Sequence, residues 1–486
     1  MSVRNVVKSI QDIMRQDVGV DGDAQRISQL CWMFFLKIID DQDQELELMQ
    51  KGYRSPIPAK FRWRAWAADP EGITGEALLA FVNDELFPAL KELPNTARDG
   101  RRRVVRDVFE DAYNYMKSGQ LMRQVVNKIT AIDFNNLSER QHFGDLYEQI
   151  LNDLQSAGNA GEYYTPRAVT GFMAERIDPK PGEILLDPAC GTGGFLTCAL
   201  RHMRGRYVKT PEDERRMQQA LRAVERKQLP HMLCVTNMLL HSIDDPSFVR
   251  HDNTLARPYI SYGQADRVDI VLTNPPFGGR EEDGIESNFP KHFQTRETAD
   301  LFLALIIRLL KPGGRAAVVL PDGSLFGEGV KTRLKEHLLE ECNLHTIVRL
   351  PNSVFKPYAS IGTNLLFFEK GEPTKEIWFY EHRVPEGQKA YSMTRPIKVE
   401  HLKPCADWWG GAKRKGRVEN EVAWRVTAEE VKARGYNLDF KNPHTVADDH
   451  GDPEELLAKL EESEAETAKL RDQLKSMLEE ALLRHS

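Results

Sequence analysis

Ile184-Leu185-Leu186-Asp187-Pro188-Ala189-Cys190-Gly191-Thr192-Gly193-Gly194-Phe195 is the stretch that decides the fold. Three apolar residues ending on an aspartate read as a short buried strand. The glycines that follow suit a tight turn where the backbone approaches something that any Cβ would strike. Phe195 then opens a helical pattern. Strand, glycine turn and helix form the first unit of a doubly wound α/β sheet. The ligand of such a sheet lies across the carboxyl ends of its strands.

The same alternation continues outward. Segments 184–186, 221–224, 268–272, 316–320, 346–350 and 364–368 read as buried strands, and helix-like stretches such as 299–310 separate them. This pattern predicts a mostly parallel sheet. Upstream, residues 1–155 read as a helical domain. Val6, Ile10, Ile13 and Met14 recur at helical spacing, as do Ile27, Leu30, Phe34 and Ile38. A Pro- and Trp-rich stretch at 55–70 interrupts them, a last helix is expected at 141–154, and 155–161 reads as a linker. The catalytic domain is placed at 156–371 and a mixed, irregular extension at 372–450.

The segment 451–486 reads as a tail formed by one charged helix. A 4-3-4-3 walk through it meets Leu456, Leu460, Ser463, Thr467, Leu470, Leu474, Met477 and Ala481, of which six are apolar. That is a candidate seam for a partner helix, with packing on its own chain as the alternative.

A length of 486 residues exceeds one compact core, so two or three domains are expected. The 41% apolar and 29% charged composition is that of a globular chain and excludes a disordered or fibrous one. The six cysteines form no C-x-x-C and no zinc-spaced cluster, which predicts reduced thiols and no metal. No signal peptide opens the sequence, and the longest apolar run, from Cys31 to Ile39 with Lys37 inside it, is too short to span a bilayer. A cytoplasmic protein is expected. The net charge of −7 argues against a chain that grips nucleic acid unaided, because such grip comes from neutralised phosphates.

Asp187 beside the glycine turn suits a ligand with a cationic end in a poorly solvated crevice. Glu225, closing the 221–224 strand, suits the two hydroxyls of a ribose. Thr165 and Pro166 read as the cap and first residue of a helix whose N-terminus could face a carboxylate. Together these features fit S-adenosylmethionine better than a dinucleotide. The glycines alone would fit a plain tight turn.

A second stretch, Val268-Asp269-Ile270-Val271-Leu272-Thr273-Asn274-Pro275-Pro276-Phe277, runs a strand directly into two prolines. Neither a central strand nor a helix interior tolerates them, so the loop is rigid. Such a loop suits methylation of an exocyclic amine. The amine lone pair of adenine is delocalised into the ring. Two acceptors on the amine hydrogens, the Asn274 side-chain oxygen and the Pro275 carbonyl, would free it. Phe277 could stack on the base, turned out of its duplex.

These motifs, in this order, resemble the amino-methyltransferases of DNA. G-E-Y-Y-T-P-R at 161–167, F-G-D-L-Y-E at 143–148 and P-G-G-R-A-A-V-V-L-P-D-G-S-L-F at 312–326 resemble more narrowly the modification subunit of type I restriction–modification systems. The resemblance implies an α/β, Rossmann-like doubly wound sheet of the class I S-adenosylmethionine-dependent methyltransferase kind, with an α-helical N-terminal domain and a C-terminal helical tail. It implies cofactor contacts at Glu162, Tyr163, Tyr164, Thr165, Pro166, Arg167, Asp187, Thr192, Gly193, Gly194 and Glu225, and a catalytic loop of Asn274, Pro275, Pro276 and Phe277. It also implies partners: DNA, a second modification subunit, a specificity subunit that reads the sequence, and a restriction subunit.

Two rival functions stay open at this point. One is methylation of a glutamine side-chain amide in a protein, whose NH₂ resembles that of adenine. The other is a lapsed methyltransferase serving as a scaffold. Arg101, Arg102, Arg103 and Arg106, and the basic stretch 413–417, are either phosphate contacts or solvated faces. Cys190 reads as a small packed residue.

Overall fold

The computed structural model describes residues 3–94, 100–136, 164–356 and 359–444, with shorter pieces at 140, 143–144, 147–151, 464–465, 467–471 and 473–475. By packing, the chain divides into two units, Met1–Lys441 and Asn442–Ser486.

The first unit is built on one sheet. Its strands are β1 Leu185–Asp187, β2 Leu221–Glu225, β3 Val249–His251, β4 Val268–Thr273, β5 Leu310–Pro321, β6 Cys342–Leu350, β7 Thr363–Lys370, β8 Glu376–Glu381 and β9 Ala423–Thr427. Their spatial order is β3-β2-β1-β4-β5-β7-β6-β8-β9. β3, β2, β1, β4 and β5 pair in parallel. β7 runs antiparallel between β5 and β6, and β9 is antiparallel to β8. The fold is therefore the expected doubly wound α/β type, with a mixed sheet.

The strands are buried on both faces, and their alternation sorts residues into two core layers. Ile270, Leu272, Ala317, Val319, Leu365 and Phe367 face one layer. Their neighbours Val271, Ala316, Val318, Leu320, Leu366 and Phe368 face the other. The first layer is covered by helices Arg167–Ile177, Gly194–Arg206 and Gln228–Leu240, the second by Thr298–Leu309 and Val330–Glu341.

All six expected strands form. β5 begins earlier than 316, at Leu310. A bulge at Pro312-Gly313-Gly314 absorbs the extra residues, so that Val268 pairs with Leu310 and Ile270 already with Arg315. Gly313 takes φ 78 there. Three strands escape sequence reading. β3 has three residues with only Val249 buried. β8 and β9 lie within the stretch expected as irregular, 372–450, and instead extend the sheet.

The N-terminal helices share the first core layer. Helix Asp23–Met49 buries every residue from Ile27 to Asp43, which accounts for its long apolar run. Helix Gln228–Leu240 is buried from Pro230 onward, because the sheet lies on one side and the N-terminal helices on the other. The 55–70 interruption holds a single turn at Ala59–Phe61 and helix Trp63–Trp66. Within 141–154, the described residues 143–144 and 147–151 are helical, and the 155–161 linker lies outside the described residues.

Arginines of both basic stretches are engaged internally. Arg101 donates to Tyr53 Oη and Gln42 Oε1, both at 3.0 Å, Arg103 to the Ser247 carbonyl at 2.7 Å, and Arg106 pairs with Asp107 at 2.6 Å. Arg414 pairs with Glu369 at 2.7 Å. Arg417 lies 4.7 Å from the ring centres of both Trp408 and Trp409, and burial brings its pKa down to about 10. Among the described residues no helix is long and apolar enough to cross a membrane.

In the second unit, Leu470 and Leu474 are exposed. The other apolar residues of the expected seam, Leu456, Leu460, Met477 and Ala481, lie outside the described residues, as does Ser463.

Candidate active site

The sheet reverses its winding between β1 and β4, which are adjacent but distant in sequence. A crevice opens at the carboxyl ends of strands at such a point. Both motifs end there, the glycine turn after β1 and Asn274–Phe277 after β4.

They meet around one cavity of about 260 Å³. Of the expected residues, Tyr164, Thr165, Arg167, Thr192, Gly194, Glu225, Asn274, Pro275, Pro276 and Phe277 line it. Pro166, Asp187 and Gly193 are not among its lining residues, while Glu162 and Tyr163 lie outside the described residues. A larger cleft of about 1030 Å³, lined among others by Ile184, Arg222 and Val268, holds none of the expected cofactor or catalytic residues.

The glycine turn is held from two sides. Gly191 and Gly193 have φ of 53 and 83, and a Cβ on Gly193 would lie 2.9 Å from Cys234 Sγ. A Cβ on Gly194 would overlap Arg167 Nη1. Glu225 Oε2 accepts the Gly191 N–H at 2.9 Å, and its Oε1 accepts that of Lys227 at 2.8 Å. Burial raises the Glu225 pKa, and these backbone donors oppose the shift. Cys190 is buried, 3.7 Å from Cys234 Sγ, as a packed residue should be.

Thr165 departs from its expected role. Helix Arg167–Ile177 begins one residue later than expected, with Pro166 flanking it and no side-chain cap. The Thr165 hydroxyl instead accepts Asn274 Nδ2 at 3.0 Å. That bond fixes the Asn274 amide and leaves its oxygen free.

Among the buried polar atoms without a hydrogen-bond partner in the described residues are Asn274 Oδ1 and Arg167 Nη2, on residues that line the cavity, and Asp187 Oδ2, whose carboxyl has the Thr273 hydroxyl beside it. Unpaired buried polar atoms are costly and cluster where a ligand satisfies them. Here they offer an acceptor for an amine, an anion for a cation and a donor for a carboxylate. Those are the polar features of an adenine and of the amino-acid end of S-adenosylmethionine, so the residues fit that cofactor. Burial pushes the Asp187 carboxyl up to about 7. Among the described residues no group of three or more His, Cys, Asp or Glu is arranged to hold a metal.

Sequence reasoning missed several residues at this cavity. Asp252, Asn253 and Thr254 reach it from the end of β3. Phe355 meets Phe277 edge to face, with ring centres 5.9 Å apart. Thr298 and Phe302 enter from the start of helix Thr298–Leu309.

A family model for N-6 DNA methylases matches residues 138–451, and one for the HsdM N-terminal domain matches 3–129. The type I restriction enzyme EcoEI methylase subunit of Escherichia coli is 60% identical over 485 residues, 99% of each chain. A solved modification subunit of a type I restriction enzyme from Vibrio vulnificus YJ016 is 43% identical, with a TM-score of 0.78 over 91% of this chain and 97% of its own. A chain solved in work on complex assembly and conformational transition of the type I R-M system is 37% identical, with a TM-score of 0.84 over 98% of each. The chain belongs to the N-6 DNA methylase family, among the methylase subunits of type I restriction enzymes, and is an adenine-specific DNA methyltransferase.

Proposed function

We propose that the cavity between the glycine turn and the Asn274–Phe277 loop holds S-adenosylmethionine beside an adenine turned out of the DNA duplex. The observation that carries this reading is Asn274 Oδ1, buried and unpartnered on the wall the glycine turn shares. In this reading Asn274 Oδ1 and the Pro275 carbonyl accept the two amine hydrogens. Pro275 and Pro276 keep the loop stiff, and Phe277 and Phe355 wall the base. Glu225 takes the ribose hydroxyls with the capacity its backbone donors leave. Residues 162–167 take the amino-acid end, with Thr192, Gly193 and Gly194 beneath it, and Asp187 supplies a negative field. The bound cofactor supplies an electrophilic methyl group. The protein aligns the amine with it and excludes water.

The membership in a DNA methylase family favours adenine over a glutamine amide, and the intact Asn274 and Glu225 argue against a lapsed scaffold. The acidic chain fits an enzyme whose grip on DNA comes from a complex. We place it with a second modification subunit beside a specificity subunit, with a restriction subunit able to join, in the cytoplasm. The functional divisions we assign are 1–155 as a helical platform, 156–371 as the catalytic part, 372–450 as its extension and 451–486 as the docking helix.

The test is to incubate the chain, co-expressed with its specificity subunit, with radiolabelled cofactor and DNA. Label is expected in DNA as N6-methyladenine. Label in protein alone overturns the reading. A second check concerns the base. Phe277→Ala is expected to weaken binding of DNA with an unpaired target adenine about five- to tenfold, from lost stacking, with cofactor affinity unchanged. Equal losses for both ligands in titration would contradict the stacking role.

A further inference from the structure

We propose that Glu148 is a positioning residue that ties together the two walls of the cofactor cavity. The proposal rests on the reading of that cavity given above. Glu148 itself does not line the cavity. It stands in the helical piece 147–151, and its two carboxylate oxygens face different walls. Oε2 accepts Arg167 Nε. Oε1 accepts Asn237 Nδ2 at 3.0 Å, and the same Nδ2 donates to the Thr192 carbonyl at 3.0 Å. One carboxylate thereby connects the segment 164–167 to the glycine turn.

The connection reaches the parts of the site that matter. Arg167 lies against Gly194, stacks 4.8 Å above the Tyr164 ring and donates to the Thr165 carbonyl at 3.4 Å. Thr165 in turn holds the Asn274 amide. Burial opposes the Glu148 charge. The Arg167 guanidinium and the Asn237 amide overcome that and keep the carboxyl below its ordinary range, so it is ionised at neutral pH. The anchor is firm on the other side too. Adjacent Tyr147 donates to the Leu233 carbonyl at 3.2 Å and meets Cys31 Sγ at 3.3 Å. The helical piece carrying Glu148 is thus pinned to helices Asp23–Met49 and Gln228–Leu240.

Charge and geometry together make the carboxylate hard to replace. Both of its oxygens receive N–H donors. A glutamine of the same shape offers one acceptor and turns an NH₂ toward the other donor, so one of the two links must break.

The test is calorimetric titration of the full chain with S-adenosylhomocysteine, which yields Kd and the binding-competent fraction separately. Glu148→Gln is expected to raise Kd about tenfold with the stoichiometry kept. Asn237→Ala cuts the link to Thr192 but spares the Arg167 pair, and it is expected to raise Kd in the same direction. Combining the two should add little to Glu148→Gln alone, since both cut one chain of contacts. A Kd for Glu148→Gln within twofold of the parent overturns the proposal. So does a reduced stoichiometry at unchanged Kd, the signature of a merely structural role. Should Glu148→Gln fail to fold, an Asn237→Ala Kd within twofold of the parent overturns it as well. Absence of binding by the parent chain overturns the reading of the cavity, and this inference falls with it.

Discussion

Asn274→Ala is expected to lower methyl transfer about 10²- to 10³-fold while leaving cofactor affinity within about threefold of the parent. The split follows from where the side chain sits. Asn274 lies at the end of β4, on the far side of β1 from Glu225 at the end of β2. Its side-chain Nδ2 donates to Thr165 Oγ1, at 3.0 Å. Its oxygen is buried and waits for a donor. In the proposed site that donor is the adenine amine, and the bond strengthens as the nitrogen gains positive charge on the way to the transition state. Removing it therefore costs rate more than binding. Single-turnover methylation of DNA, with a parallel cofactor titration, measures both quantities. Turnover within tenfold of the parent would remove Asn274 from the chemistry. A cofactor Kd raised as much as the rate is lowered would make it a binding residue instead.

What the sequence revealed of this site follows from how local each signal is. I-L-L-D before the glycines and V-D-I-V-L-T before N-P-P-F carry strand, turn and ligand geometry within a dozen residues. Both were legible; that their strands lie side by side and parallel is seen only in the structure. β3 was not, because V-R-H offers a single buried residue and no period to detect. With it went Asp252, Asn253 and Thr254. Thr165 followed the rule for a helix cap but sits one residue too far upstream. A tertiary contact to Asn274, 109 positions away, takes its hydroxyl instead. Glu148 lay in a recognised motif, yet its partners Arg167 and Asn237 are 19 and 89 positions off, beyond any local pattern. The arginines at 101–106 left two readings open, phosphate contact or a solvated face. A charge run names no partner, and here Tyr53, Gln42 and Ser247 of the same chain supply them.

Cofactor affinity should weaken as the solution is acidified, by roughly twentyfold between pH 7.5 and pH 5.5, provided the bound-state pKa falls to about 5 or below. The cause is Asp187. Burial raises its carboxyl to about 7, so in the unliganded protein it is half protonated near neutrality. The cationic end of the proposed ligand favours the carboxylate, which lowers that pKa on binding. Below pH 7 each binding event must then expel a proton, and Kd rises about tenfold per unit until the bound-state pKa is reached. Two groups face the same carboxyl. Glu225, also raised by burial, acts in the same sense, while the buried Cys190 thiol is pushed far above this window and contributes nothing to it. The contribution of Asp187 to the stability of the unliganded chain moves the opposite way. A carboxyl whose folded pKa is raised contributes stability that is full below the ordinary carboxylate range and is lost as pH rises through about 7. For that one group acid favours the empty fold over the filled one, while the buried His231 and His382, held below the ordinary histidine range by desolvation, cost the fold stability as acid forces them to charge. Asp187→Asn should flatten the Kd trend, leaving only the shallower slope from Glu225, and should remove the Asp187 contribution from the stability profile. Titration calorimetry and thermal melts across pH 5.5–7.5, for parent and variant, decide it. A parent Kd that does not change across that range would mean that Asp187 is already ionised in the empty pocket or sits too far from the positive charge to matter.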